Sequence, residues 1–525
     1  MTMGDGTDGT AAGAPATSRW DAVVVGSGFG GAMAARRLVE AGARVLVIER
    51  GKWVTRGEAA WGPEATLELG PHHSLESAYR CVAGGYGPEV GSCFCVGGPS
   101  LFYGGVSMRM REEDFEPDAR VLRDAGAAWP YRYADLEPHY AQAERILGVA
   151  GDDAGDPTAP PRSAPYPHAP APLASFSRRL HAAGTALGLS PFRLPLAINH
   201  AEEGGGRSRC VACTTCDTFA CAIAAKNDVE TVVLRPLLAK GLTLWPRTAA
   251  LRLEVEGRRI RRVLAHVKDG GRTVALEADL FVLAAGALAT PHLLLSSRLD
   301  GLSTAPGAVG RYLVRHANAK VFGLFLSPPD PEQVFHKQLA FHDWYRGDGE
   351  DGERLGGIQQ VMTPPRKLVE AYLPAGARRV VGALTGHLTG LLCIAEDEPQ
   401  RSNGVAVSWD RRDALGLPQL VIEHRYGARD RRRLQGLARR AKRILRETGA
   451  LLCHVHELKT FSHALGTVRM GEDPAQAPLD ASCRFRGVEN LWVTDGSTLP
   501  TPGAVNPSLT IAANALRAAE SMARA

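Results

Sequence analysis

A glycine-rich turn near the start of the chain places the strongest constraint on its fold. The turn, GSGFGG at residues 26–31, follows a β-branched apolar run at 21–25 and precedes a stretch of helical composition at 32–41. A second apolar run at 44–48 ends at Glu49. Strand, glycine turn, helix, strand and acid occur in this order in the first βαβ unit of a dinucleotide-binding domain. The N-terminal segment therefore predicts an α/β fold with a Rossmann-like nucleotide-binding domain.

Each glycine of the turn has a physical role in such a unit. Gly26 allows the tight turn, Gly28 lets the backbone approach a pyrophosphate, and Gly31 lets the helix pack closely on the strand. Free amides and the dipole at the helix N-terminus favour the anion. Glu49 is placed to accept hydrogen bonds from ribose hydroxyls, and its charge disfavours NADP without separating NAD from FAD. The nucleotide-binding residues predicted here are Gly26, Ser27, Gly28, Phe29, Gly30, Gly31, Glu49 and Arg50.

Composition and charge argue against several other classes of protein. A chain of 525 residues exceeds one compact unit, so two domains are expected. The 61 basic and 56 acidic residues leave a net charge of +5 that is spread along the chain, which predicts neither nucleic-acid nor membrane binding. The most basic stretch, 430–446, has apolar residues at helical spacing and predicts an amphipathic helix with a solvated arginine face.

The sequence shows no targeting or membrane-spanning signal. Residues 1–18 lack the basic start and apolar run of a secretory signal, and we expect them to form a disordered tail. No run approaches the roughly 18 uninterrupted apolar residues of a membrane span. Ten cysteines in a chain of this length are not a disulfide scaffold. A cytoplasmic protein is therefore expected.

Three later segments are more specific than the glycine turn. Residues 282–297, VLAAGALATPHLLLSS, continue an apolar strand into a helix through an alanine–glycine turn. Residues 129–144 contain WP, DLEPHY and AE, and residues 461–519 contain SHALGTVRMG and LWVTDGSTLPTPGAVNPSLTI. In this order the segments resemble glucose–methanol–choline (GMC) oxidoreductases over most of the chain, and most closely the bacterial sugar- and aminoglycoside-alcohol oxidases and dehydrogenases. The resemblance implies a flavoenzyme that uses FAD to oxidise a CH–OH group.

The resemblance also implies which residues surround the FAD. The turn at 284–287 would pass the cofactor, 495–496 would lie near its phosphates and ribityl chain, and 506–507 would lie beside the isoalloxazine ring. The loop at 97–105 carries a flavin-linking histidine in some relatives but contains none here, so FAD is expected to bind without a covalent link. The last two glycines of this loop are expected near flavin N5, because glycine lets backbone approach a ring. The cofactor-binding residues implied by the resemblance are Ala285, Gly286, Asp495, Gly496, Asn506, Pro507, Gly104 and Gly105.

The resemblance implies a catalytic pair, His463 and Asn506. His463 lies in SHALGTVRMG, and Asn506 takes the place of a second histidine in many relatives. Oxidising an alcohol removes a hydroxyl proton and a hydride, and the cofactor accepts the hydride. A neutral imidazole with the ordinary pKa of about 6.5 can accept the proton, whereas an amide can hydrogen-bond the substrate oxygen and orient the carbinol. His463 is therefore the expected base and Asn506 the expected orienting residue.

Four cysteines within one short segment suggest a possible metal site. Cys210, Cys213, Cys216 and Cys221 are spaced so that their thiolates could converge on one centre, as in iron–sulfur or zinc sites. The longer last gap and the absence of a following proline depart from the ferredoxin pattern. An iron–sulfur cluster, a zinc ion and purely structural cysteines all remain open. A cluster would favour a dehydrogenase subunit that passes electrons to a redox partner.

The domain boundaries and the substrate follow from the same motifs. Residues 19–130, 200–315 and 455–525 are expected to build a discontinuous FAD-binding domain, residues 316–455 a substrate domain on an antiparallel sheet, and residues 131–199 a connecting region. The expected partners are a small-molecule alcohol and an acceptor, either O2 or an electron carrier. A sugar, an aminoglycoside or another polar alcohol is the favoured substrate, and a sterol or hydrophobic alcohol is the alternative.

Overall fold

The structure, a computed structural model, describes residues 19–62, 65–67, 73–81, 89–201, 206–348, 352–371 and 373–524. Residues 1–18, which we predict to be a disordered tail, lie outside the described residues. The strands are β1 Trp20–Val25, β2 Val45–Ile48, β3 His73–Cys81, β4 Glu89–Cys93, β5 Phe192–Arg193, β6 Thr243–Trp245, β7 Thr248–Glu256, β8 Arg259–Val267, β9 Arg272–Leu283, β10 Ala317–Leu324, β11 Leu339–Phe341, β12 Gly357–Val361, β13 Leu388–Ala395, β14 Gly404–Arg412, β15 Pro418–Glu423, β16 Leu452–Glu457 and β17 Leu491–Val493. The α-helices are α1 Phe29–Glu40, α2 Ala119–Ala125, α3 Tyr133–Leu147, α4 Ser175–Ala186, α5 Arg235–Leu238, α6 Gly286–Ser296, α7 Arg366–Ala371, α8 Ala375–Ala383, α9 Ala428–Glu447 and α10 Ser508–Met522.

The N-terminal βαβ unit forms the centre of a seven-stranded sheet. The strand order is β6-β2-β1-β9-β8-β7, and β17 pairs with β9. Strands β6, β2, β1, β9 and β17 run parallel, whereas the first half of the long strand β9 pairs antiparallel with β8. The short apolar strands β2 and β17 are wholly buried, as expected for parallel strands covered on both faces. The predicted α/β class with a Rossmann-like sheet is confirmed.

A second sheet of six strands is antiparallel throughout. Its order is β16-β10-β13-β12-β11-β5. The predicted basic helix, α9, packs against this sheet through Leu437, Ala441 and Leu445, which are buried in a cluster with Val321 and Leu391. The arginine-rich face of the helix is left outside that cluster. No helix in the described part of the chain has the length and apolarity needed to cross a membrane.

The predicted connecting region 131–199 contains one strand and two helices. Strand β5 forms the edge of the six-stranded sheet, next to β11. Helix α4 packs beside α9 through Phe176 and Leu180, and helix α3 packs against α10. The apolar spacing of these helices places one face of each in a core, so this region belongs to the two main layers.

A small third sheet joins segments that are far apart in the sequence. Its order is β14-β15-β3-β4, so strands at 404–423 pair with strands at 73–93. These two segments fall on opposite sides of the expected boundary between a cofactor domain and a substrate domain. Backbone pairing therefore links two parts of the chain that the predicted domain boundary separates.

Candidate active site

Three turns meet at one edge of the seven-stranded sheet. Because β1, β9 and β17 are parallel neighbours, their carboxyl ends lie at the same edge. A Cβ added to Gly26 would lie 2.4 Å from the carbonyl oxygen of Ala284, and one added to Gly30 would lie 2.2 Å from that of Thr494. A Cβ on Gly31 would lie 2.0 Å from the carbonyl oxygen of Gly26. Backbone fills the space beside these three glycines, which therefore hold the turns together.

Gly28 differs from its neighbours because the space beside it is open. A Cβ added there would meet no heavy atom within 4 Å. Gly28 is also the N-cap of α1, which has no side-chain cap and no acidic residue in its first turn. The first amides of the helix thus lack the side-chain acceptors that usually satisfy them. An open cradle beside such a helix start fits the pyrophosphate of a dinucleotide.

Asp495 joins the second turn to the third. One of its carboxylate oxygens accepts hydrogen bonds from the Gly286 amide at 2.8 Å and from the Thr290 hydroxyl at 2.5 Å. The other oxygen accepts from the Ser497 amide at 2.8 Å. Burial raises the pKa of this carboxyl, and the hydrogen bonds oppose the rise. Asp495 therefore fixes the turns that begin at Ala285 and Gly496. The space beside Gly286 is open, since a Cβ added there would meet no heavy atom within 4 Å.

Glu49 lies at the end of β2, against the glycine turn. Its carboxylate accepts from the Ser27 hydroxyl at 2.6 Å, the Ser27 amide at 3.2 Å and the Gly51 amide at 2.9 Å. Burial raises its pKa, and these hydrogen bonds oppose the rise. The next residue, Arg50, stacks its guanidinium 4.1 Å from the centre of the Phe94 ring.

The loop that ends at Gly104 and Gly105 runs from the nucleotide turn towards the start of α10. Tyr103 packs edge-on against Phe29, with ring centroids 5.3 Å apart. Gly105 has a left-handed φ of 78°, and the Val106 carbonyl accepts from the Ser508 hydroxyl at 3.2 Å. These glycines therefore lie between the nucleotide turn and the segment that carries Asn506 and Pro507.

His463 is hydrogen-bonded to a second histidine. Its Nδ1 lies 2.9 Å from Nδ1 of His316, the residue before β10. Nε2 of His316 lies 3.1 Å from the carbonyl oxygens of both Pro502 and Gly503, which can only accept, so this nitrogen carries a proton. Nδ1 of neutral His316 is then an acceptor, and Nδ1–H of His463 donates to it. This pairing leaves Nε2 of His463 unprotonated.

The surroundings of His463 keep it neutral. Its pKa is lowered to about 3, first by burial and then by electrostatic interaction with the His316 ring and the Lys337 ammonium group, with Asp217 acting in the opposite direction. Burial also lowers the pKa of His316, to about 4. A half-buried imidazole that donates one N–H in a hydrogen bond and keeps its other nitrogen unprotonated has the properties of a general base.

Asn506 is oriented by a buried glutamine of the six-stranded sheet. The Gln359 amide nitrogen, on β12, donates to Oδ1 of Asn506 at 2.6 Å. With its oxygen occupied, the half-buried Asn506 presents its NH2 group as a donor. Asn506 and Pro507 immediately precede α10, and the Pro502 and Gly503 carbonyls that hold His316 belong to the same loop. One loop therefore fixes both predicted catalytic residues.

The four clustered cysteines do not form a metal centre in this structure. All four are free thiols, and within the described residues no group of three or more His, Cys, Asp or Glu side chains could hold a metal ion. Cys210 accepts from the Ala212 amide and Cys213 from the Thr215 hydroxyl, and burial raises the pKa of the Cys216 thiol to about 12. The iron–sulfur and zinc alternatives therefore find no support. In this structure the four thiols make local contacts or are buried.

The sequence did not point to His316 or Gln359. Both are placed by strands of the six-stranded sheet and reach partners more than a hundred positions away. Neither lies in a recognisable motif, so only the assembled sheet identifies them as parts of the site.

A parallel sheet with a glycine turn and an open cradle at its carboxyl edge is typical of dinucleotide-binding enzymes. Residues 91–318 and 399–515 each match a sequence profile described as GMC oxidoreductase, and residues 24–84 match one described as an NAD(P)-binding Rossmann-like domain. The chain belongs to the GMC oxidoreductase family. It is an oxidoreductase acting on CH–OH groups, and the family implies FAD as the cofactor.

Relatives and solved structures agree with this assignment. The chain is 34% identical to 6'''-hydroxyparomomycin C oxidase of Streptomyces lividus, over 96% of this chain and 91% of that protein. It is also 34% identical to paromamine 6'-oxidase of Streptomyces fradiae, with the same coverage. The solved structure of pyridoxine 4-oxidase from Mesorbium loti superposes with a TM-score of 0.69 at 22% identity, over 96% of this chain and 99% of that one. That likeness establishes the fold.

Proposed function

We propose that this chain oxidises the CH–OH group of a sugar, an aminoglycoside or another polar alcohol to an aldehyde or ketone, with His463 as the base. The observation that carries the proposal is the His316–His463 hydrogen bond, which leaves Nε2 of His463 free to accept a proton. Relatives whose names describe them as oxidases of paromamine and hydroxyparomomycin support an amino-sugar alcohol as the substrate.

The residues that would hold FAD are those of the three turns. The cradle beside Gly28 would take the pyrophosphate, Glu49 the ribose, and the segments at 104–105 and 506–507 the flavin. Bound FAD supplies the acceptor for the hydride of the alcohol. With no histidine in the loop at 97–105, the cofactor is held without a covalent link.

Side chains of the protein accept the proton and position the substrate. Nε2 of His463 accepts the hydroxyl proton, and the neighbouring His316 holds the ring in the required tautomer. Because burial and neighbouring groups lower the pKa of His463 to about 3, the base is deprotonated throughout the neutral range. The NH2 group of Asn506 donates to the substrate oxygen, and Gln359 keeps that amide in its orientation.

Anaerobic stopped-flow reduction of the flavin tests the role of His463. His463→Ala should retain FAD and slow reduction by about 10²–10⁴-fold, the usual contribution of a positioned general base. Asn506→Ala should cost at most about 10²-fold, because it removes orientation and leaves the base. His454→Ala, which changes an exposed histidine of β16, is the matched control and should reduce at the wild-type rate.

The substrate is identified in the same apparatus. Paromamine, methyl α-D-glucopyranoside and cyclohexylmethanol all carry a primary alcohol on a six-membered ring and differ in their polar groups. We expect faster reduction by the first two. If His463→Ala reduced its flavin at the wild-type rate, the histidine would have no place in the mechanism. Reduction by cyclohexylmethanol alone would replace the polar substrate with a hydrophobic one.

A further inference from the structure

A buried ion pair lies against the backbone of Gly104. Nζ of Lys337 is 2.8 Å from Oδ2 of Asp217, and their side chains are 4% and 26% exposed. A Cβ added to Gly104 would lie 2.5 Å from this Nζ and 3.1 Å from Oδ1 of Asp217. The pair therefore lies at the loop that we place beside the flavin. Lys337 and Asp217 are also among the charges that shift the pKa of His463, so the pair lies within electrostatic range of the proposed base.

The cysteine-rich segment holds Asp217 rigidly. The buried ammonium group of Lys226 donates to the carbonyl oxygens of Tyr103, Cys216 and Phe219 at 2.7–2.9 Å. Thr218, the residue after Asp217, donates its amide N–H to the Phe102 carbonyl at 2.9 Å. Asp217 is thus flanked by fixed backbone on both sides. The cysteine-rich segment thus holds one carboxylate in place beside Gly104.

Within the described residues, the pair retains unused hydrogen-bonding capacity beside Gly104. An ammonium group has three N–H donors, and within the described residues Lys337 gives one, to Asp217. Oδ1 of Asp217 accepts no hydrogen bond from the residues that the structure describes. Lys337, Lys320 and Lys226 outweigh burial and lower the pKa of Asp217, so the carboxylate stays charged. The pair can therefore accept a hydrogen bond and donate another side by side.

We propose that Asp217 and Lys337 recognise the substrate by binding two neighbouring hydroxyl groups of a polyhydroxylated ring. One hydroxyl donates to Oδ1 of Asp217, and the oxygen of the next accepts from the Lys337 ammonium group. A pair with no net charge suits neutral hydroxyls, and charge-assisted hydrogen bonds of this kind discriminate strongly against a ring that lacks them. The inference rests on the proposed alcohol oxidation and specifies which part of the substrate is recognised.

The test compares three alcohols on the FAD-loaded full chain. The concentration dependence of anaerobic flavin reduction gives an apparent Kd and a limiting rate for paromamine, methyl α-D-glucopyranoside and cyclohexylmethanol. Asp217→Asn and Lys337→Met should raise the apparent Kd for both sugars by about 10- to 100-fold, the range for hydrogen bonds to charged groups. Cyclohexylmethanol, which has no second hydroxyl, should change by less than about 3-fold.

Controls separate recognition from damage to the fold. Asp269→Asn removes a carboxylate from an exposed ion pair with Arg247 and should alter none of these values. Asp217→Glu keeps the charge and should recover part of the sugar affinity. FAD content and melting temperature verify that each variant is folded.

Several results would overturn the inference. Equal losses with the sugars and with cyclohexylmethanol would give Asp217 a structural role only. A defect with paromamine but none with the glucoside would mean that Asp217 binds an ammonium group instead of a hydroxyl pair. A wild-type enzyme reduced by cyclohexylmethanol and by neither sugar would remove the inference and leave alcohol oxidation standing. No reduction by any of the three would refute the proposed function as well.

Discussion

Two alanine substitutions, at Gly28 and Gly30, should distinguish a glycine that the cofactor requires from one that the fold requires. Gly28 has φ −68° and ψ −167°, which alanine adopts without strain, and its added Cβ would meet nothing within 4 Å. Gly28→Ala should leave the apoprotein unchanged or stabilise it by about 0.4–1 kcal/mol. The methyl group would occupy the cradle proposed for the pyrophosphate, so FAD affinity should fall at least about 10-fold.

Gly30→Ala, unlike Gly28→Ala, should destabilise the apoprotein. Its Cβ would lie 2.2 Å from the Thr494 carbonyl oxygen and 3.0 Å from the Asp495 amide nitrogen. Both are backbone atoms of a neighbouring turn, so the turns must separate, at a cost of about 1–3 kcal/mol or more. Alanine regains about 1 kcal/mol of helix propensity within α1, which offsets only part of that cost. The apoprotein itself should melt at a lower temperature.

Thermal melting of the apoprotein and titration with FAD measure the two effects independently. The substitutions are chemically identical and two residues apart, so each serves as the control for the other. If Gly28→Ala bound FAD as the wild type does, the open space beside Gly28 would not be the pyrophosphate site. If Gly30→Ala apoprotein melted at the wild-type temperature, the close approach of its turn to Thr494 would be wrong.

Three further predictions follow from single side chains. Glu49→Ala should weaken FAD binding about 10- to 100-fold, measured by fluorescence titration, because it removes charge-assisted hydrogen bonds. Since the pKa of His463 is lowered to about 3, the fall of kcat/KM on the acid side of the pH profile should lie well below pH 6.5. Lys337→Met removes a positive charge, so the pKa of His463 should rise and this fall should move to higher pH. Cys213→Ser should leave the visible spectrum unchanged, and stoichiometric iron in wild-type protein would contradict the structural role of that segment.

The nucleotide-binding half of the site was predictable because its determinants are local. The strand, the glycine turn and the helix at 20–40 follow one another in the sequence, although Gly26 and Gly30 contact the distant turns after β9 and β17. Such a unit leaves a pattern that sequence alone displays. Helix α9 was predictable for a similar reason, since its apolar spacing reflects one buried face.

The other half of the site depends on contacts that no local pattern records. His316 reaches His463 only because β10 lies in the six-stranded sheet, and Gln359 reaches Asn506 only because β12 lies two strands away. The ordinary pKa of histidine, which the sequence analysis assumed, fails for the same reason. Burial and neighbouring charges lower it, and neither is visible before the layers assemble.

In the proposed mechanism, the lowered pKa of His463 is compatible with an asparagine at position 506. A base that stays neutral near pH 7 needs no second titrating group to keep it deprotonated, and a second imidazole nearby already serves to fix its tautomer. What the substrate oxygen then requires is a donor of constant charge, and the Asn506 amide, held by Gln359, provides one at every pH. In the proposed mechanism, proton acceptance and substrate orientation fall to different residues, held respectively by His316, next to β10, and Gln359, on β12. We therefore expect the pH dependence of flavin reduction to report His463 alone.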